Sequence, residues 1–332
     1  MSYYSPPDAG TMTKIISSGS VQSALQTLLF SNDTLSKTQE RVTSGYKIAS
    51  AADNSGYWST ATNLKSDASV LTSVGDALNL GASKADTAYE AVTSLIGVVD
   101  QIMTQLTTAY EPGADRSQIN GAISALKNNL QSVSQAASFS GDNWLYNTAE
   151  QLPATKSVPF AFHKDASGGI SLQHLTVDTA QTTMVDTSDA SRGLLTGAVD
   201  ASARDGDTAA PARDYYLLNA GSATGVTGTE IAVSDTTTKD ELDDMVYVVS
   251  QLSKKLNELG GSIGTMSNRM DQQTTFVSSL KDSMDKSVSR LVDADMEEES
   301  TKLTAYKTQR DLAVEVVSLA NNHRKSLATL FS

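Results

Sequence analysis

The chain has 332 residues, no cysteine and a formal net charge of -13. This acidic balance disfavours nucleic-acid partners, which bind through basic patches, and the absence of cysteine excludes disulfides and thiolate metal sites. No apolar run of about eighteen residues occurs, so no membrane insertion is expected. The N-terminus also lacks the basic segment and apolar core that are typical of a cleavable signal peptide.

The first helix is predicted from about Val21, after an irregular start that contains Pro6 and Pro7. Its apolar positions recur at helical spacing, at Leu25, Leu28, Leu35 and Val42. Ser44-Gly45 and Asp53-Asn54-Ser55-Gly56 interrupt the pattern over residues 43–57, which indicates a connector.

A long second helix is predicted over residues 61–110, because apolar residues or glycine recur there at alternating steps of three and four. These positions are Ala61, Leu64, Ala68, Leu71, Gly75, Leu78, Ala82, Ala85, Tyr89, Val92, Ile96, Val99, Met103, Leu106 and Tyr110. The helix is predicted to end before Pro112. These positions form one apolar stripe, or seam, along the helix. A seam this long requires a partner helix of similar length to cover it.

That partner is predicted from Leu242, just after Thr238 and Glu241, which have the spacing of a helix capping box. The same steps continue, with Gln273 as the polar exception, through Leu242, Met245, Val249, Leu252, Leu256, Leu259, Ile263, Met266, Met270, Gln273, Val277, Leu280 and Met284. Two matched seams that are far apart in the chain predict an antiparallel coiled coil with a left-handed supercoil.

The middle of the chain has a different character. A third helix is predicted from the face that carries Ile119, Ile123, Leu126, Leu130, Val133 and Ala137. Helical periodicity is lost over residues 139–237, where short strands are predicted at 158–163, 169–177, 215–218 and 231–233. A connector at 289–295 then precedes a final helix from Met296 to the end. The predicted fold class is mainly α: a long antiparallel coiled-coil helical rod from the N- and C-terminal segments, with a β-rich central insertion.

The two ends of the chain resemble bacterial flagellin. Residues 21–61 (VQSALQTLLFSNDTLSKTQERVTSGYKIASAADNSGYWSTA) are similar to the N-terminal signature of the family, and residues 291–331 (LVDADMEEESTKLTAYKTQRDLAVEVVSLANNHRKSLATLF) to its C-terminal signature. The segment FSGDNWLYN at 139–147 is similar to the turn after the third helix of flagellins. The triplet Tyr57-Trp58-Ser59 is most like the α-proteobacterial branch. The resemblance covers about two thirds of the chain and does not extend to the middle third.

The resemblance implies a structural subunit that self-assembles through its terminal helices into the flagellar filament for swimming motility. It implies three parts: an inner core domain made of residues 12–46 and 292–332, a rod domain made of residues 47–138 and 238–291, and a variable, solvent-facing insertion at residues 139–237. Residues 1–11 are an extension before the usual start of the family. The implied partners are other copies, other flagellins, the type III export apparatus, a chaperone and the filament cap. The implied location is the extracellular filament.

The terminal helices are predicted to form the polymerisation interface, because two paired helices leave apolar surface that only other copies can cover. The predicted residues are Leu25, Leu28, Leu35, Val42, Leu303, Tyr306, Ala313, Val317, Ala320, Leu327 and Phe331.

No catalytic, cofactor or metal site is predicted. His163 and His174 fall on neighbouring predicted strands, but no third ligand has a recognisable spacing. The acidic run at 293–299 lacks the glycine turn of an EF-hand and favours a solvated helix start. Three alternatives remain: a hook–filament junction protein, which shares the terminal pattern; a chemoreceptor-type hairpin, which needs a membrane anchor; and an enzyme in the insertion, which no motif supports.

Overall fold

A computed structural model describes residues 9–153, 155–165, 169–205 and 213–330. The long helices are α1 (Ala9–Ser44), α2 (Ser55–Thr108), α3 (Arg116–Ala136), α5 (Lys239–Val292) and α6 (Met296–Leu330). A single-turn helix, α4 (Thr179–Thr182), and the described strands lie between α3 and α5. The protein is mainly α with a strand-containing central region, as the sequence predicts.

The described strands of the central region are short, with one exception. They are β1 (Ser138–Phe139), β2 (Asp142–Asn143), β3 (Tyr146–Asn147), β4 (Lys156–Lys164), β5 (Ile170–Val177), β6 (Val185–Asp186), β7 (Val199–Asp200), β8 (Asp214–Tyr216) and β9 (Thr229–Glu230). The pairs β1–β2 and β4–β5 are antiparallel, β3–β6 is parallel, and β8 lies between an antiparallel β7 and a parallel β9. The exception is the β4–β5 ribbon.

Several boundaries differ from the sequence prediction. Helix α1 begins at Ala9 rather than near Val21, and α5 continues to Val292, so that the second connector is only three residues long. The strand predicted at 231–233 is displaced to Thr229–Glu230. Periodicity locates the apolar part of an element and not its ends, which caps and connectors determine. Residues 1–8 of the predicted extension lie outside the described residues.

The folded chain forms two compact units. The first contains α1, α6, α2 up to Ala68 and α5 from Asp282 onward. The second contains residues 69–281, which include the remainder of α2 and α5, α3 and the whole central region.

Within the second unit, α2 and α5 are antiparallel. The Ser253 hydroxyl donates to Asp100 (3.4 Å), and the Ser267 hydroxyl donates to Asp86 (2.5 Å). Residue numbers therefore rise along one helix as they fall along the other, as the matched seams predict. The capping box also forms, since the Glu241 carboxylate accepts from the Thr238 backbone N–H (2.7 Å).

Helix α2 buries a second row of residues that the sequence pattern did not single out: Ala88, Leu95, Val98 and Ile102. This row flanks the predicted seam and belongs to the same apolar core as Ile123 and Leu130 of α3. A helix with two buried rows packs against neighbours on two sides. The central region supplies part of that second side, through buried residues such as Leu145 and Leu217.

Polar contacts also attach the central region to the helices. The buried Lys127 ammonium of α3 donates to the Glu230 carboxylate (2.7 Å) and to the Ile231 carbonyl (2.5 Å), and burial lowers the pKa of Lys127. The buried Asp244 of α5 forms ion pairs with Arg204 (3.3 Å) and Arg213 (2.9 Å). The central region and the helices of the second unit therefore share one core.

Two glycines of α2 give a matched stability prediction. A Cβ at Gly81 would lie 2.7 Å from a methyl group of Val158 in β4, whereas a Cβ at Gly97 would meet nothing within 4 Å. We expect Gly81→Ala to lower the free energy of unfolding by roughly 1–3 kcal/mol through overpacking. Gly97→Ala should raise it by about 0.5–1 kcal/mol, because alanine is the better helix former. Urea unfolding followed by circular dichroism measures both, and equal shifts of the two midpoints would contradict the close approach of β4 to α2.

Candidate self-association surface

Helices α1 and α6 form an antiparallel pair in the first unit. Arg41, near the end of α1, lies 3.6 Å from Glu299, near the start of α6. Asp295 directly precedes α6, and its carboxylate accepts from the backbone N–H groups of Glu297 (3.0 Å) and Glu298 (3.2 Å). Acidic side chains in this first turn also interact favourably with the helix dipole.

The connectors before α2 and before α6 are hydrogen-bonded to each other. Gly45, which ends α1 with a φ of 75°, accepts from the Ala294 backbone N–H (2.8 Å). The Val292 carbonyl accepts from the Lys47 backbone N–H (2.8 Å), and the Lys47 ammonium donates to the Arg290 carbonyl (2.8 Å). Carbonyls at the end of α5 therefore accept hydrogen bonds from the connector before α2. The α1–α2 connector and the α5–α6 connector meet at one junction.

The contact between α1 and α6 is narrow and partly polar. Its buried residues are Ser31, Leu35 and Thr38 on α1, and Glu299 and Ala313 on α6. Sequence reasoning found Leu35 and Ala313 but not Ser31 or Thr38, because it selected apolar residues. The spacing could have identified Ser31 and Thr38 in the sequence, since residues 28, 31, 35, 38 and 42 follow alternating steps of three and four.

Most of the predicted interface residues that the structure describes lie in this contact within one chain. Leu35 and Ala313 are buried, and Leu28, Val42, Leu303, Tyr306 and Val317 are half-buried. Leu25 is exposed. Ala320 and Leu327 belong to α6, but their side chains lie outside the described part, and so does Phe331.

The pair exposes a different set of large apolar side chains. Between 48 and 71 % of the surface of each is exposed: Leu25, Leu29, Phe30, Leu312, Val314, Val316 and Leu319. Soluble monomers seldom expose contiguous apolar patches of this kind, which mark interaction surfaces.

One side of the pair carries an apolar groove of about 500 Å³. We call this side the groove flank; its exposed residues are Thr27, Phe30, Gln309, Leu312 and Val316. The helical period places Leu25, Leu29 and Val314 on the opposite side, which we call the leucine flank. The pair therefore exposes large apolar side chains on both flanks, while its internal contact is partly polar.

Charged groups are concentrated near the start of α6. The Lys302 ammonium donates to Glu298 and lies 3.3 Å from the buried Glu299, and the Glu298 carboxylate raises the pKa of Lys302. The second carboxylate oxygen of Glu299 has no hydrogen-bond partner among the described residues.

Metal-binding and membrane-spanning features are absent from the described residues. They contain no group of three or more histidine and acidic side chains able to hold a metal ion. His163 pairs with Ser171 and His174 with Pro159, so the β4–β5 register separates the two histidines along the ribbon. Among the described helices, none is long and apolar enough to cross a membrane.

A mainly helical chain whose terminal helices pair and leave apolar surface on both flanks has the features of a self-associating structural protein. Comparison with known proteins gives the family. Residues 15–150 match the family model of the bacterial flagellin N-terminal helical region, and residues 246–331 match that of the bacterial flagellin C-terminal helical region. The chain belongs to the bacterial flagellin family, and it is a structural subunit of the flagellar filament.

The relatives match along nearly the whole chain. Flagellin C of Rhizobium meliloti (strain 1021) is 43% identical over 320 residues, which cover 96% of this chain and 99% of the relative. Flagellin A of the same strain is 34% identical over 393 residues, covering 96% of this chain and 100% of the relative. A flagellin of Brucella melitensis is 33% identical over 325 residues, covering 96% and 99%. These are α-proteobacterial flagellins, the branch that Tyr57-Trp58-Ser59 indicated, and their matches include the central region.

Proposed function

We propose that copies of this chain polymerise by side-to-side packing of their α1/α6 pairs, with the groove flank of one copy against the leucine flank of the next. The observation that carries this proposal is the exposure of large apolar side chains on both flanks of one helix pair. Exposed apolar surface of this kind favours a partner that covers it.

The two flanks differ, which determines the kind of assembly. A contact between two different surfaces of the same molecule is heterologous, and it repeats without closing unless the rotation forms a ring. Burial of each large apolar side chain contributes roughly 1.5–3 kcal/mol, less the entropy lost on association. Several such side chains on each flank are sufficient to support a chain of copies at moderate protein concentration.

The predicted interface residues then divide into two groups. Leu28, Leu35, Val42, Leu303, Tyr306, Ala313 and Val317 hold α1 against α6, so they act on polymerisation by shaping the pair. Leu25, Leu29, Phe30, Leu312, Val314 and Val316 make the contact between copies. Ala320, Leu327 and Phe331 remain predicted contacts at the end of α6.

Membership of the family supports a wider proposal. The subunit is a structural protein without enzymatic activity, exported by the flagellar type III apparatus with a chaperone, and polymerised under the cap into the extracellular filament. Residues 12–46 and 292–332 form the inner core domain, 47–138 and 238–291 the rod domain, and 139–237 the solvent-facing part. Other flagellins are further partners within the filament.

The absence of cysteine makes a crosslinking test specific. Thr27→Cys places a thiol on the groove flank and Leu29→Cys places one on the leucine flank. Filaments mixed from the two single variants should give covalent dimers with a short bis-maleimide, whereas filaments of either variant alone should give almost none. Dimers from one variant alone would show like flanks packing together and would overturn the arrangement.

A matched control uses Leu152, which is 70% exposed in the central region. Filaments mixed from Leu152→Cys and Thr27→Cys should give no dimers with the same reagent. Dimers in this mixture at the level of the test pair would mean that the reagent reports collisions rather than the proposed contact.

A further inference from the structure

A short 3-10 turn, Ser202–Asp205, lies against the start of α5 in the second unit. Two arginines attach it. Arg204 belongs to the turn, and Arg213 is joined to it because the Ala201 backbone N–H donates to the Arg213 carbonyl (2.9 Å). Both guanidinium groups form ion pairs with one carboxylate, that of Asp244 in α5, at 3.3 Å and 2.9 Å. We call Arg204, Arg213 and Asp244 the arginine clasp.

Other ionisable groups come from every element around the clasp. They are Asp240, Glu241 and Asp243 on α5, Tyr110 after α2, and Tyr215 on β8. Burial first, and then the neighbouring aspartates, raises the pKa of both tyrosines, which therefore stay neutral. Among the three aspartates of this turn of α5, Asp244 alone is buried. Its charge is thus the one that depends most on the two arginines.

Little apolar surface holds the turn in place. Of residues 200–204, only Ala201 and Ser202 are buried, and both side chains are small. A segment with few buried apolar contacts opens at a low cost in free energy. The ion pairs of Asp244, rather than hydrophobic packing, therefore carry the attachment of this turn to α5.

We propose that Asp244 makes the arginine clasp a charge-operated switch: the turn stays closed on α5 while the carboxylate is ionised, and it opens locally, with the core beneath still folded, when that charge is removed. A buried ion pair that loses one charge leaves the other unpaired, which is strongly unfavourable. The guanidinium groups of Arg204 and Arg213 regain full hydration only if the turn moves away from α5. The switch lies in the second unit and does not depend on the flank packing.

Acid removes this charge, and Asp200 at the base of the turn acts in the same direction. Its carboxylate accepts from the Ser202 hydroxyl (2.6 Å), the Ser202 backbone N–H (2.8 Å) and the Arg213 backbone N–H (3.2 Å). These hydrogen bonds, the Ser202 hydroxyl first, lower the pKa of Asp200. A carboxyl group with a lowered pKa stabilises the folded form above its ordinary pKa of about 3.9, and this contribution is lost as the pH falls through the lowered value. The closed turn is therefore the neutral-pH form, and acid opens it.

Hydrogen–deuterium exchange of the full chain tests the switch at neutral pH. Asp244→Asn removes the charge and keeps the shape of the side chain. We expect amide exchange in residues 199–204 to accelerate at least about tenfold, while exchange in α2 and in the β4–β5 ribbon changes less than about twofold. Mass spectrometry of the digested protein measures all three regions in one experiment.

Asp240→Asn is the matched control. Asp240 is on the same turn of α5, but its backbone carbonyl rather than its carboxylate accepts from Arg204 (3.4 Å). Exchange in residues 199–204 should therefore change by less than about twofold in this variant. Unchanged exchange in Asp244→Asn, or the same acceleration in both variants, would overturn the role of Asp244. Equal acceleration throughout the second unit would show that Asp244 holds the whole core, which would overturn the local switch.

A second measurement follows the wild type into acid. After correction for the intrinsic rate, exchange in residues 199–204 should accelerate ahead of the β4–β5 ribbon as the pH falls from about 5 to about 3. In Asp244→Asn the turn is already open, so the same change of pH should have a smaller effect there. Simultaneous acceleration of the turn and the ribbon in the wild type would contradict a separate switch.

Discussion

Leu217→Asp is expected to unfold the helices of the second unit together with the central region. Leu217 is fully buried in the core that also contains Ile102 of α2, Leu130 of α3 and Leu252 of α5. An unpaired carboxylate there loses the apolar contacts and leaves a buried charge, at a cost of roughly 3–5 kcal/mol or more. Domains of ordinary stability have only about 5–15 kcal/mol in total. In a thermal unfolding experiment followed by far-ultraviolet circular dichroism, the variant should therefore already show a large loss of helix at low temperature.

The control variant carries the same charge on the central region but outside its core. Leu152→Asp changes a residue that is mostly exposed, so its melting temperature should stay close to that of the wild type. Retention of full helicity by Leu217→Asp would show that the central region packs independently. That result would contradict the shared core.

Val316→Asp is expected to give a folded monomer that does not form filaments. Val316 is 56% exposed on the groove flank, so the carboxylate is solvated in the monomer and loses its water only when another copy covers it. A penalty of several kcal/mol per contact raises the critical concentration by about a hundredfold or more. Sedimentation after addition of a precipitant measures the loss, and circular dichroism of the monomer should match the wild type.

The neighbouring position provides a matched comparison. Val317 is half-buried between α1 and α6, so Val317→Asp should lower the helix content of the monomer as well as preventing assembly. The sequence places Val317 only in the contact between copies, so from the sequence alone this variant is expected to lose filaments. Normal filaments from Val316→Asp would show that the groove flank is not a contact between copies.

The sequence by itself determined the long helices and their pairing. Alternating steps of three and four persist through α2 and α5, and a pattern that long is incompatible with any other local structure. The capping box at Thr238 and Glu241 placed the start of α5 for the same reason, since its hydrogen bonds are local. The terminal signatures lie mainly in α1 and α6, and they led to the family through the identity of their residues.

Only the tertiary structure decided which apolar residues face inward and which are exposed on the two flanks. Ser31 and Thr38 replace apolar residues in the contact between α1 and α6, while Phe30 and Val316 lie outside it. A narrow contact between two helices can be made by small polar side chains, so hydrophobicity alone does not locate it.

The packing of the central region likewise could not be predicted from the sequence. Several of its strands have only two or three residues, too few to show a period, and their partners are distant in the chain. The second buried row of α2 and the ion pairs of Asp244 exist because the central region folds back onto the helices. Local periodicity records which side of a helix is apolar, but the identity of what covers that side depends on contacts that form only in the folded chain.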